Sequence, residues 1–185
     1  MSPPPVTRYV ALLRGVNLGK RKVPMADLRR LLSDLGLDEV ATYLQSGNAV
    51  FATDRADRVA LSEEIEQALS DEFGFDVPTI LRSGPEIEAV IVACPYRALA
   101  DADPTKVHVT FLEPMPPTPT WTRVEAERFA PEEMAQGDGV LYMHLPEGMG
   151  RASLPVAVAR VTSDVVATTR NWRTVVNLAT MLGEG

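Results

Sequence analysis

RYVALLRGVNLGKRKVP, residues 8–24, is the stretch that decides the fold of the first half of this chain. Its continuous apolar start predicts a strand that is covered on both faces. Gly15 and Gly19 then predict a turn around Asn17, and Pro24 suits the first position of a helix. Strand, glycine-bearing turn and helix start are the parts from which proteins build anion sites. Three cations at 20–22, in a chain of net charge −7, make this segment a local candidate for such a site.

The pattern on either side of this stretch predicts alternating strands and helices. Leucines at helical spacing predict a helix over 24–35 that Gly36 ends, and short strands at 40–44 and 49–53 flank a polar turn. A second helix over 57–73 is capped by Asp57 and ended by Gly74, and a strand follows at 77–82. This β-α-β-β-α-β order predicts an α+β, ferredoxin-like unit: one antiparallel sheet with two helices on one face.

The second half predicts another small α+β unit. Ser83 and Glu86 form a capping box for a third helix, and 95–104 has the character of a connection. Strands are predicted at 107–112, near 128–130, at 140–145 and at 165–168. A short helix after Ser153 and a last helix over 171–182 complete the unit. The predicted division is a subdomain over 1–83, a helix and connector over 84–103 and a second subdomain over 104–185, with no residue-level repeat between the halves.

Composition sets broad limits on function. The 185 residues are 45% hydrophobic and 23% charged, which is typical of a soluble globular protein. No apolar run approaches the ~20 residues of a membrane helix, and the N-terminus has no signal-like segment. A single cysteine, Cys94, indicates a cytoplasmic setting. The pI of 4.9 argues against broad nucleic-acid binding but allows a pocket for one phosphate or nucleotide.

The turn at Arg14, Gly15 and Asn17 is the first candidate segment. A magnesium-nucleotide P-loop is excluded, because three residues rather than four separate Gly15 from Gly19 and no Ser or Thr follows Lys20. A guanidinium group, an amide and free backbone N–H groups remain for an anion. The alternative is that the glycines serve turn geometry and the cations are solvated.

Two further turns carry polar side chains. Ser46 and Asn48 lie in the turn between two short strands, where a binding role and a tight turn explain the sequence equally well. Gly148 and Gly150 precede Arg151 and a helix start, so that Arg151 and the helix amides are candidates to bind a carboxylate or phosphate. The alternative there is a capped helix with a surface arginine.

The segment 168–174, Thr-Thr-Arg-Asn-Trp-Arg-Thr, joins a strand to the last helix. Capping by Asn171 and packing of Trp172 explain two of its residues, but Arg170 and Arg173 would then lie at the positive end of the helix dipole. An anionic partner would remove that conflict.

Other catalytic and metal templates do not match. His108 and His144 fall within strand candidates without metal-ligand neighbours at suitable spacing, so no metal and no cofactor is expected. Neither histidine lies in a candidate segment, which leaves Ser46 without an evident general base. Cys94 has no basic neighbour to lower its pKa.

Several of these segments also carry a family resemblance. They are Ala11-Leu-Leu-Arg-Gly-Val-Asn17, Lys22-Val-Pro-Met25, Tyr43-Leu-Gln-Ser-Gly-Asn48, His108-Val-Thr-Phe111, Gly150-Arg151, Thr168-Thr-Arg-Asn-Trp172 and Thr174-Val175. Together and in this order they resemble a bacterial family catalogued as domain of unknown function 1697. The family usually has Ser-Lys-Leu after Gly-Arg, where this chain has Ala152-Ser-Leu154. The resemblance implies two small α+β domains and no established activity.

Three functions are consistent with these patterns. The first is a module that binds a small anion, such as a nucleotide, a phosphorylated metabolite or a nucleic-acid end, in one cationic cleft. The second is an enzyme acting on such a ligand, with Ser46 or a threonine among the reacting groups. The third is an assembly protein without a ligand. The expected cleft residues are Arg14, Gly15, Asn17, Ser46, Asn48, Arg151, Arg170, Asn171 and Trp172. The sequence does not specify the oligomeric state.

Overall fold

The chain has an α+β fold with two four-stranded antiparallel sheets, as the sequence predicts. A computed structural model describes residues 4–183. The strands are β1 Thr7–Leu13, β2 Asp38–Thr42, β3 Asn48–Thr53, β4 Thr79–Ser83, β5 Val107–Glu113, β6 Glu133–Gln136, β7 Val140–His144 and β8 Val166–Asn171. The α-helices in this range are α1 Met25–Asp34, α2 Arg58–Phe73, α3 Gly84–Ala93, α4 Arg97–Ala102, α5 Pro119–Thr122, α6 Leu154–Val161 and α7 Trp172–Gly183, and Ala126–Phe129 is a 3₁₀ helix.

The chain forms two compact units. One contains the residues up to Ile87 together with those from Leu178 onward, and the other contains Glu88–Asn177. The second half of α7 is therefore part of the first unit, and the second half of α3 is part of the second. The predicted subdomain boundaries at residues 83 and 104 stay a prediction.

The first unit has the β-α-β-β-α-β order that the sequence predicts, with strands in the order β2-β3-β1-β4. Helix α2 begins at Asp57, whose side chain accepts a hydrogen bond from the amide of Ala60, and ends at Gly74 in the left-handed region. One sheet face packs on α1 and α2, and the central strand β1 is buried on its other face as well. This matches the uninterrupted apolar run of β1.

The second unit repeats this strand order as β6-β7-β5-β8. Its core joins one sheet face to α5 and α6 through apolar side chains. They are Leu112, Trp121, Val124, Leu141, Met143, Leu145, Leu154 and Val158. Because α6 has 8 residues and α2 has 16, the second sheet has a much shorter helix at the equivalent position.

Three predicted elements differ from the structure. The connection predicted over 95–104 contains α4, whose helix-forming residues include an Arg97–Asp101 pair one turn apart at 3.2 Å. The strand predicted near 128–130 is a 3₁₀ helix, and sheet pairing begins only at Glu133, after Pro131, which has no N–H to donate. Strand β8 extends to Asn171, three residues beyond its predicted end, because it stays paired with β5 over that length.

Candidate functional site

The first unit brings two candidate turns together. Because β1 and β3 are antiparallel and Leu12 is opposite Asn48, the end of β1 lies beside the start of β3. The side chain of Asn17 bridges the two turns: its Nδ2 donates to the carbonyl oxygen of Gln45 at 2.5 Å and to that of Val23 at 3.1 Å. Its Oδ1 accepts from the amide of Val23 at 3.0 Å. Asn17 therefore holds the loop in place, and its amide is occupied by the protein.

Gly47 is a second point of contact between the end of β1 and the hairpin. Its carbonyl accepts from the amide of Leu13 at 2.9 Å. A Cβ at this position would lie 2.6 Å from Cγ2 of Val16 and 2.8 Å from Cβ of Leu13. The backbone also has φ +84°. Only glycine satisfies both conditions without a shift of the neighbouring chain.

Arg21 fixes the other end of the loop. Its Nε donates to the carbonyl of Gly15 at 2.8 Å, and a terminal nitrogen donates to the carbonyl of Asp76 at 2.5 Å. The guanidinium group also lies 4.5 Å from the ring centre of Phe75. Asn17 and Arg21 thus hold the loop at both ends, so its shape is set before any ligand arrives.

The remaining cations of this loop face solvent. Arg14, Lys20 and Lys22 are exposed, and no side-chain hydrogen bond or ion pair joins them to another residue in the range 4–183. Within the same range, the backbone N–H groups of residues 15, 16, 19 and 20 donate to no protein acceptor. Positive φ recurs at every second residue, Gly15, Asn17 and Gly19, an alternation of the kind that forms anion-binding nests. We call residues 14–22 the basic loop.

Ser46 and Asn48 differ in what they offer a ligand. Asn48 is fully buried, and its Nδ2 donates to the carbonyl of Tyr43 and to Oγ of Ser46, each at 2.9 Å. Ser46 is exposed. Because Asn48 is the donor in this contact, it orients the hydroxyl of Ser46 but does not take its proton.

The helix start after Arg151 is occupied by the protein itself. The carboxylate of Glu132 accepts from the amides of Ser153, at 3.0 and 3.1 Å, and of Leu154, at 2.7 Å. Pro155 has no N–H. The expectation that these amides bind a ligand's anion is therefore wrong. The Arg151 side chain is 80% exposed and lies 3.8 Å from Glu147.

The segment 168–172 is held more tightly than expected. Arg170 lies within β8, only 7% exposed, and donates to Oγ1 of Thr168 at 2.7 Å and to the carbonyl of Thr169 at 2.9 Å. Burial lowers the pKa of Arg170 to about 10, so it remains charged at neutral pH. Oδ1 of Asn171 accepts from the amide of Thr174 and so caps α7, which confirms the capping alternative. Trp172 is buried, and the guanidinium carbon of Arg97 lies 5.8 Å from the centre of its ring.

The nine expected cleft residues fall into the two units. Arg14, Gly15, Asn17, Ser46 and Asn48 belong to the first unit, where hydrogen bonds join their turns. Arg151, Arg170, Asn171 and Trp172 belong to the second. Within the described part of that unit, no hydrogen bond or ion pair joins Arg151 to residues 170–172. That all nine share one cleft stays a prediction.

His108 lies outside the basic segments that the sequence indicates as candidates. It is 6% exposed on β5, directly opposite Asn171 of β8, and its Nδ1 is buried without a hydrogen-bond partner among the described residues. Burial lowers the pKa of His108. One feature of the sequence points to His108: His108-Val-Thr-Phe111 and the segment 168–172 both carry the family resemblance. The pairing of β5 with β8 places these two segments side by side.

Two other kinds of site find no support in the range 4–183. The described His, Cys, Asp and Glu side chains form no group of three that could hold a metal ion. Within the same range, no helix has the length and apolarity needed to cross a bilayer.

Comparison with other proteins gives a family but no activity. The conserved bacterial protein SP0830 from Streptococcus pneumoniae has a similar solved structure, with a TM-score of 0.77 and 27% sequence identity over 97% of this chain and 100% of that one. No curated protein matches the chain. The model of the family described as "Protein of unknown function (DUF1697)" matches residues 6–142, most of the length, and the chain therefore belongs to the DUF1697 family.

Proposed function

We propose that this protein binds a small anionic ligand, such as a nucleotide or a phosphorylated metabolite, at the basic loop of its first unit. One observation carries the proposal: Arg14, Lys20 and Lys22 are exposed on a loop that Asn17 and Arg21 hold in one shape. A loop fixed in advance loses little conformational freedom when a ligand binds.

The charge of the whole chain supports a specific role for this loop. The net charge is −7, so an acidic protein keeps three unpaired cations within nine residues. Unpaired N–H groups in the same loop add donors that favour a phosphate or carboxylate. Ser46, an exposed residue on the hairpin bonded to this loop, adds a hydroxyl group. A single buried cysteine is consistent with a cytoplasmic setting.

The test is a calorimetric titration of the full chain with inorganic phosphate and with ADP. A triple variant, Arg14→Ala with Lys20→Ala and Lys22→Ala, is expected to weaken binding by about tenfold or more. The matched control replaces three exposed arginines of the second unit, Arg123, Arg128 and Arg160, by alanine, which changes the net charge equally. Equal affinities of the two triple variants for both probes would rule out the basic loop as the site.

A further inference from the structure

Two large apolar side chains are exposed on the joined turns of the first unit. Leu18, in the middle of the basic loop, is 66% exposed, and Leu44, in the turn that contains Ser46, is 56% exposed. They flank the hydrogen bond that joins the two turns, because its donor is Asn17 and its acceptor is Gln45. The two turns therefore stay together while both leucines remain outside the core.

Leu44 is also held in an unfavourable backbone conformation. Its φ of +57° lies in the left-handed region, where the Cβ of a leucine comes too close to the following carbonyl oxygen. Glycine adopts this conformation at no such cost. Because the side chain is exposed, its burial in the core does not compensate for the strain. Strain that is kept at a surface residue points to a function for its side chain.

The surroundings of Leu18 are cationic. The amide of Arg21 donates to the carbonyl of Leu18 at 3.0 Å and closes a tight turn that has Lys20 near its tip. Lys20, Lys22 and Arg14 are exposed in the same loop as Leu18. A surface that combines cations with exposed apolar area fits a ligand that has both an anionic group and an apolar body.

We propose that the ligand of the basic loop is a phosphate monoester with an apolar alkyl or aryl body, which packs on Leu18 and Leu44 while the phosphate binds the cations. This inference rests on the function proposed above and narrows it to one class of phosphorylated metabolite. Both leucines are aliphatic, so they add apolar area without the ring faces on which nucleobases stack. Covering roughly 55 Å² of apolar surface corresponds to about tenfold tighter binding.

The charge of the chain favours a small molecule over an anionic membrane surface. A bilayer faces one whole side of a protein, and the net charge of −7 opposes its approach. A single phosphate monoester meets only the basic loop, where the three cations are exposed. The apolar body is therefore that of an individual ligand molecule.

The test is a calorimetric titration of the full chain with phenyl phosphate and with methyl phosphate, which has the same ester group without a comparable apolar body. Phenyl phosphate is expected to bind about tenfold more tightly. Equal affinities would overturn this proposal and leave the anion site at the basic loop in place. Binding of neither compound would overturn both this proposal and the function on which it rests. Sedimentation with vesicles of phosphatidylcholine and phosphatidylserine, without a preference for phenyl phosphate, would assign the leucines to a membrane instead.

Two variants test the leucines separately from the cations. Leu18→Ala and Leu44→Gly are each expected to reduce the preference for phenyl phosphate by about threefold and to leave the affinity for methyl phosphate unchanged. Leu44→Gly also relieves the strained backbone, so its urea midpoint is expected to be no lower than that of the unchanged chain. Val59→Ala, at a position on α2 that is also 66% exposed, is the control and is expected to keep the full preference. A folded double variant, Leu18→Ala with Leu44→Gly, that keeps the tenfold preference would exclude the two leucines as the contact.

Discussion

Gly47 is the most tightly packed of the described glycines in the first unit. A Cβ there would meet Val16 at 2.6 Å and Leu13 at 2.8 Å, and both of these side chains belong to the buried core. Neither contact can relax easily, because Leu13 is met at its Cβ and Val16 at a methyl of a stiff β-branched side chain. The contact joins the hairpin to the basic loop, so it controls the position of the proposed anion site as well as the packing below it.

Gly47→Ala is therefore expected to destabilise the protein by about 3 kcal/mol, of which left-handed strain contributes about 1–2 and overpacking the rest. The matched control is Gly19→Ala, where φ is +54° and nothing lies within 4 Å of the added Cβ. That variant is expected to show the strain alone, about 1 kcal/mol. Urea unfolding measures both, and equal losses would show that the contact with Val16 and Leu13 relaxes freely.

Residue types at the basic loop were predictable, but their roles were not. The sequence predicts that Gly15 and Asn17 shape a turn beside cations. It does not predict that Asn17 uses its amide on Gln45 and Val23, since that bond depends on a hairpin 28 residues away. The antiparallel pairing of β1 and β3 brings the two turns to one end of the sheet.

At the scale of elements, the start of α6 depends on one carboxylate. Glu132 accepts from two successive amides at the positive end of this helix, while the Ser153 side chain provides no cap. A carboxylate from another element thus performs the role that a capping residue performs elsewhere.

Glu132→Ala is expected to lower the free energy of unfolding by about 1–2 kcal/mol, because it leaves these amides without their acceptor. Glu147→Ala removes an exposed carboxylate 3.8 Å from Arg151 and is expected to change stability by less than about 0.5 kcal/mol. Chemical denaturation compares the two. A loss for Glu147→Ala as large as that for Glu132→Ala would mean that general charge, not helix capping, is responsible.

The ionised carboxyl group of Glu86 holds the start of α3, so the stability of this part of the fold depends on pH. Burial raises the pKa of this carboxyl, but hydrogen bonds from Arg58, at 2.8 Å, and from the amide of Ser83, at 2.7 Å, outweigh burial and give a net lowering. A carboxyl with a lowered pKa in the folded state stabilises the fold above its unfolded pKa of about 4.3. That contribution is lost as the pH falls through the folded pKa.

Glu86→Gln is accordingly expected to be less stable than the unchanged chain at pH 7, with the gap closing below about pH 4. The gap at pH 7 is expected to stay near 1 kcal/mol, since the side chain is 40% exposed. Urea midpoints between pH 3 and 7 measure it. Glu88→Gln is the control on the same helix, and a gap independent of pH would assign the effect to something other than ionisation.

Elements with strong local signals were predictable, and those without them were not. Asp57, Gly74 and the pair Ser83 with Glu86 mark helix ends in the sequence, and the structure has the helix ends there. The end of β8 was misplaced, because pairing with β5 extends the strand through Asn171 beyond its apolar residues. The acceptor at α6 was missed, because Glu132 lies 22 residues before Leu154.

At the scale of the molecule, the two units are not simply the two halves of the chain. The first unit includes the residues from Leu178 onward, so its stability depends on a segment that follows the second unit in the sequence. The sequence pattern places the whole last helix, 171–182, in the second subdomain, although its clean apolar stripe specifies burial and not the partner that provides it.

This division predicts a local consequence of changing Leu178, which is fully buried. Leu178→Ala is expected to lower the free energy of unfolding by about 2–4 kcal/mol, because it leaves a cavity. The first unit is expected to be destabilised, although Leu178 follows the second unit in the sequence. Hydrogen exchange of β1 and β4 is then expected to accelerate before that of β5 and β8. Val176→Ala, at a position that is 39% exposed, is expected to change stability by less than about 0.5 kcal/mol.

Fluorescence gives an independent readout of the same prediction. Both tryptophans, Trp121 and Trp172, belong to the second unit, so their emission follows that unit alone. In Leu178→Ala, loss of helical and sheet signal in urea is expected to begin at lower concentration than the change in emission, because transitions monitored by different probes separate when units unfold separately. Coincident transitions, together with uniform acceleration of exchange in all four strands, would show that the two units unfold as one and that Leu178 stabilises both equally.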